Sequence, residues 1–191
     1  AQAALMAAVY QRAIAEAEPH AFPIGAERPV HDPAIEIDER YAPILPRLDL
    51  ASSQILDARP PALASDAVPS DDALRIGAEL TGIIEQTQRT TLAGFRLLDA
   101  QGRVIGGRGD VGLSFAHTPE VQEAMAGRFS AVMRMRDEDS PTPPLYSISR
   151  GAKIRIFITF PVFVDGRVRG VVYASRTPDN ILRNLYHERD K

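Results

Sequence analysis

In "FSAVMRMR" (129–136) and "KIRIFITF" (153–160) cationic residues recur at every second position, the spacing that lines up side chains on one face of a β-strand. Alternation puts Ile154, Ile156, Ile158 and Phe160 on one face and Arg155, Phe157 and Thr159 on the other, while Arg134 and Arg136 share a face with Ser130 and Val132. Between Ser140 and Val164 there is no acidic residue, yet Arg150, Lys153 and Arg155 lie there. A buried unpaired cation costs several kcal/mol, so these groups are exposed, paired with Asp137, Glu138 or Asp139, or set to hold an anion. Arg134, Tyr146, Ser147, Ser149, Arg150, Arg155 and Thr159 therefore form the candidate ligand site, guanidinium groups and hydroxyls that can cup a small anionic or polar molecule. The alternative is an exposed charged sheet face.

Other motifs carry less. "GRGDVG" matches G-x-G-x-x-G through Gly107, Gly109 and Gly112, but a dinucleotide site needs a helix to open at those glycines, and "LSFAH" intervenes before the next helix signal. It reads as a surface loop, and no cofactor is expected. The four histidines, His20, His31, His117 and His187, show no ligand spacing, so no metal is expected. There is no cysteine, which removes disulfides, thiolate metal sites and a cysteine nucleophile. No hydrolase signature surrounds any serine, so no catalytic residue is assigned. A net charge of −3 gives no footprint for nucleic acid.

The elements that must position the arginines follow from periodicity. In "AALMAAVYQRAIAEA", Leu5, Met6, Val9, Tyr10, Ala13, Ile14 and Ala17 mark one side of an amphipathic helix that Pro19 and Pro23 end. From Glu18 to Ser70 nine of the fifteen prolines occur, which predicts an extended, irregular arm. Its apolar residues predict packing on the body. Ser70, followed by two carboxylates, caps a second helix with a face of Ile76, Leu80, Ile83, Ile84 and Thr87, and Gly94 is the expected stop.

Beyond it the period becomes alternating. "LLDAQGRVIG" (97–106) and "VFVDGRVRGVV" (162–172) repeat one phrase, apolar residues and then aspartate and glycine, which is turn chemistry between sheet neighbours. Thr118-Pro119-Glu120 opens a short helix, "LYSISRG" continues the series of extended segments, and Thr177-Pro178 opens a last helix with a stripe of Ile181, Leu182, Leu185 and Tyr186. The fold class is α+β, an antiparallel sheet of about five strands with helices before, within and after it. The division is 1–70, helix plus arm, and 71–191, body. The longest apolar run near the start is far too short to span a bilayer, and the ends, without methionine and helical in character, read as a piece of a longer protein.

"FRLLDAQGRVIG", "TPEVQEAMAG", "SISRG" (147–151), "RIFITFPV" (155–162) and "ASRTP" (174–178), followed by a helix, resemble the extracytoplasmic PAS-like or Cache sensor domains of bacterial membrane-bound sensor histidine kinases. The resemblance implies a non-enzymatic, periplasmic input module of a two-component system, with a membrane span on each side lying outside this chain. It implies a homodimer through the first helix, a small ligand on the sheet and a signalling role for the terminal helix. Two other readings compete: a ligand-free module that senses a protein partner or the envelope, and an enzyme acting on a phosphorylated substrate. The second lacks a convergent acid, base or nucleophile.

Overall fold

A computed structural model describes residues 2–17, 23–28, 54–107, 109–136 and 154–177. Helix α1 (Gln2–Glu16) precedes a two-residue strand β1 (Ile55–Leu56), and helix α2 (Asp71–Thr91) leads into the hairpin β2 (Gly94–Asp99) and β3 (Val104–Gly107). A short helix α3 (Pro119–Met125) is followed by β4 (Ser130–Met135), β5 (Ile154–Val164) and β6 (Arg167–Arg176). The architecture is α+β.

The strands form one sheet in the order β1-β4-β5-β6-β2-β3. Every pairing is antiparallel except β1 on β4. The sixth strand, beyond the five expected, comes from the proline-rich arm. Its backbone pairs for two residues, Ile55 with Met133 and Leu56 with Arg134, before the prolines at 60 and 61 remove the donors that a longer ladder would need.

The alternation read from the sequence divides the sheet into two faces. On one, Met6, Tyr10 and Ile14 of α1 and Ile76, Leu80 and Ile84 of α2 pack on Phe95, Leu97, Ile105, Val162, Val172 and Ala174. Each fully buried side chain of this size contributes about 1.5–3 kcal/mol, so this face anchors both helices. The Tyr10 hydroxyl donates to the Leu98 carbonyl at 3.0 Å, and burial, followed by the charge of Asp99, raises its pKa well above the ordinary value. Leu5 and Ile83, expected on the inner stripes, are instead exposed. On the other face α3 and the arm cover Leu98, Val104, Phe115, Val121, Phe157, Val171 and Tyr173.

Helix α2 starts as expected, with the Ser70 Oγ accepting from the Ala73 amide at 3.2 Å. It stops earlier than expected: Leu92, in the left-handed region at φ 54°, is the cap, and Gly94 already belongs to β2. Gly77 has a packing role. A Cβ there would collide with the carbonyl oxygen of Ile105, and one on Gly106 would meet the Gly77 oxygen at 2.8 Å, so helix and strand cross backbone to backbone.

The two repeated phrases turn out to be chemically different. Asp165 and Gly166, at φ 52° and 71°, make a tight turn between β5 and β6 with both residues left-handed. Asp99 is fully buried and organises its turn from within. Its Oδ1 accepts from the amides of Gln101 and Arg103 at 2.9 and 3.0 Å, and its Oδ2 from the Arg103 Nε at 2.7 Å. Arg103 also donates to the carbonyls of Ala67 and Val68, which ties the arm to the hairpin. The segment "LYSISRG" and the terminal helix from Thr177-Pro178 onward lie outside the described residues apart from Thr177.

Candidate functional site

Arginines and hydroxyls collect on the face that carries α3, as alternation predicts. Arg134 pairs opposite Arg155 across β4 and β5, Ser130 opposite Thr159, and Tyr173 lies between Thr159 and Arg96 in the ladder order of β5, β6 and β2. Two groups of different character result.

The first is a closed lock around Glu120, a residue placed by the Thr118-Pro119 start of α3. Its carboxylate accepts from Arg134 Nε at 3.0 Å, from Arg134 Nη2 at 2.8 Å and from the Tyr173 hydroxyl at 2.8 Å. The Thr159 hydroxyl donates to the Glu120 carbonyl at 2.7 Å, and Arg134 Nη1 donates to the Asp57 carbonyl at 3.2 Å. Glu120 and Thr159 are fully buried and Arg134 is 4% exposed. Burial pushes the Glu120 carboxyl up, but the hydrogen bonds from Arg134 and Tyr173 outweigh it and hold the pKa below the ordinary value. Arg134 stays above its ordinary value by the same pairing, despite burial. Burial and then Glu120 raise the pKa of Tyr173.

Arg134 and Thr159 of the expected ligand set therefore hold α3 to the sheet. The partner of Arg134 is Glu120; Asp137, Glu138 and Asp139 lie outside the described residues. The Thr118 side chain, expected to cap α3, donates instead to the Phe115 carbonyl.

The second group is incomplete. Among the described residues the buried Arg155 Nε has no hydrogen-bond partner, and neither has the buried Arg59 Nη1. The Arg59 guanidinium carbon lies 4.5 Å from the centroid of Phe115, 5.9 Å from Phe157 and 6.0 Å from Tyr173. Arg96 approaches the same Phe115 ring at 5.6 Å and is paired with Asp110 at 2.6 Å. Burial, then Arg96, lowers the pKa of Arg59; burial, then Arg136 and Arg96, lowers that of Arg155. Cations that depress one another over a partly apolar floor are poised to take up negative charge.

Sequence reading singled out Arg155 on this face and did not single out Arg59, Arg96 or Asp110, which the fold brings near it. Arg96 carried a usable signal, since it alternates with Phe95 and Leu97 in "GFRLLD" and so faces away from the helices. Arg59 carried none, because an irregular arm has no period. Asp110 belongs to the "GRGDVG" loop, where Gly109, Asp110 and Gly112 adopt positive φ, and no helix opens there. Tyr146, Ser147, Ser149 and Arg150 lie outside the described residues.

A separate open groove of about 390 Å³ runs between the arm and the hairpin tip, lined by Ser65, Asp66, Gln101, Arg103 and His117 among others. Its buried cation, Arg103, is already neutralised by Asp99. Among the described residues no three His, Asp or Glu side chains come together as metal ligands, and no helix is long and apolar enough to cross a membrane.

No protein-family model matches the chain, and no curated protein does. Among solved structures the chain is similar to the sensor domain of the V. cholerae histidine kinase DctB, with 18% identity and a TM-score of 0.42. The match covers 56% of this chain and 42% of that one, so the chain spans less than half the length of its structural neighbour.

Proposed function

We propose that this chain is the extracytoplasmic signal-sensing domain of a two-component sensor histidine kinase and binds a small anionic or polar ligand on the α3 side of its sheet. The observation that carries the reading is the buried Nε of Arg155 on that face, which has no partner among the described residues. A guanidinium so placed keeps a donor that water does not reach, and an anion supplies the missing partner. The sequence resemblance to periplasmic sensor domains supports the same role. Within the described residues the acid and hydroxyl groups that converge, Glu120 and Tyr173, are sealed from solvent, which favours a non-catalytic module.

Ligand binding acts by population shift: a ligand that contacts one sheet geometry better than another moves the strand end at Arg176 and with it the segment from Thr177 onward, which the sequence reads as a helix. Dimerisation through α1, which leaves Leu5 67% exposed on the single chain, belongs to the same reading. So does a periplasmic location between two membrane spans.

A thermal-shift screen of the purified chain against carboxylates, amino acids, phosphates and sugars, repeated with Arg155→Ala, tests it. A ligand at about a hundred times its Kd adds roughly 2.7 kcal/mol and raises the Tm of a domain this size by about 5 to 11 °C. The expected result is a ligand-specific shift lost in Arg155→Ala. A flat screen would move the reading to a module that senses a protein partner or the envelope.

A further inference from the structure

We propose that Arg59, Arg96 and Arg155 together form a site for a small oxyanion carrying two negative charges, and that this anion clasps the arm to the sheet. The inference rests on the sensing role above and adds the ligand's charge and the part played by the arm.

Three elements deliver the three guanidinium groups. Arg155 comes from β5, Arg96 from β2, and Arg59 from the arm just after β1. Among the described residues one carboxylate, Asp110, is paired with this group, through Arg96. Glu120 does not compensate the others, since it is held by Arg134 and Tyr173. Two positive charges are left over.

The Arg59 guanidinium lies against the rings of Phe115, Phe157 and Tyr173. An aromatic ring attracts a guanidinium through its face but cannot accept the in-plane N–H donors, so Arg59 keeps a fork free. Within this group Arg59 Nη1 and Arg155 Nε are buried without a partner among the described residues. An oxyanion meets both needs at once, with charge for the pair and acceptors for their donors.

Arg59 connects the site to the arm. The ladder between β1 and β4 is two residues long, and the next backbone tie, Leu63 to Ser114, lies beyond Arg59. An anion bridging Arg59 to Arg155 therefore adds a tie between Asp57, whose carbonyl Arg134 holds, and Leu63, a stretch in which no other hydrogen bond to the sheet is seen among the described residues.

The experiment measures binding of sulfate, inorganic phosphate and malonate to the purified chain by calorimetry, with acetate and chloride at matched ionic strength as controls. Amide hydrogen exchange over 54–66 is followed in parallel. At least one dianion is expected to bind and slow exchange in that segment while acetate and chloride do not. Sulfate and phosphate mark a compact group, malonate two separated carboxylates. Arg59→Gln should weaken binding by about tenfold or more and abolish the protection, whereas Arg12→Gln, on the exposed face of α1, should change neither. Should Arg59→Gln not fold, Arg59→Lys, which keeps the charge but loses the fork, provides the same comparison.

Equal dianion binding by wild type and Arg59→Gln would overturn the clasp. Absence of dianion binding, with a neutral ligand found that needs Arg155, would overturn the charge assignment and leave the sensing role standing. A dianion clasp that forms while the full-length receptor's kinase output ignores the ligand would uphold the site and overturn the sensing role.

Discussion

Glu120 shows at the residue scale how far a buried charge can be trusted to one partner. Glu120→Gln keeps the shape but leaves Arg134 as an uncompensated buried cation, and losing one member of such a pair costs about 3–5 kcal/mol. Urea unfolding at neutral pH should show that loss. The pH dependence follows from the depressed carboxyl pKa. A carboxylate held below its unfolded pKa contributes its stability above that value, near 4.5, and loses it as pH falls through the folded pKa. The wild type should lose stability below about pH 4.5 more steeply than Glu120→Gln, and parallel acid titrations of the two proteins would refute this. Arg134 also marks the limit of strand alternation as a guide. Period 2 assigns a side chain to a face but does not say which helix will stand over it, so an arginine locked by α3 and an arginine left open look the same in one dimension.

Glycines decide the issue at the element scale, and two in one helix should behave oppositely. Gly82 has nothing within 4 Å of a built Cβ, so Gly82→Ala should stabilise by about 0.5–1 kcal/mol through helix propensity. Gly77→Ala gains the same propensity but drives a methyl into the backbone of β3, and overpacking of about 1–3 kcal/mol should outweigh it. Paired urea melts check both signs. Elements with strong periodicity were legible: α1, the start of α2, both hairpins and the two faces of β5. The end of α2 was not, because Gly94 looks like a cap while the chain uses it as the first residue of β2, against Ser175. The difference lies in tertiary contacts that a local pattern does not contain.

At the scale of the whole molecule, the described part of the arm, 54–70, carries little secondary structure yet ties to both β4 and the hairpin. Over its described residues 54–70 the packing of the arm on the body was legible in outline. Its parallel pairing with β4 was not, since two residues give no period. Nor was Arg59, which reaches the candidate site only because the arm crosses the α3 face. The body itself was readable as α+β because each strand alternates and each turn carries its own glycine. The candidate site was half legible: the face and Arg155 came from the pattern, the partners from long-range contacts.

Strand β1 has a further consequence for the behaviour of the protein in solution. Among the described residues it is the only neighbour of β4 on the outer side of the sheet, and an uncovered strand edge is a template for pairing with another chain. Deleting residues 54–57, which leaves α1 and its core contacts in place, should therefore do more than trim a surface segment. It should bare the backbone donors and acceptors of Met133 and Arg134 and yield a protein that self-associates through β4. Light scattering on the shortened protein, compared with the intact chain at equal concentration, should show growth over time, and a stable monomer would mean that the edge is guarded by something other than β1. The arm thus acts as a built-in chaperone for its own sheet, and whatever loosens it exposes the protein to aggregation.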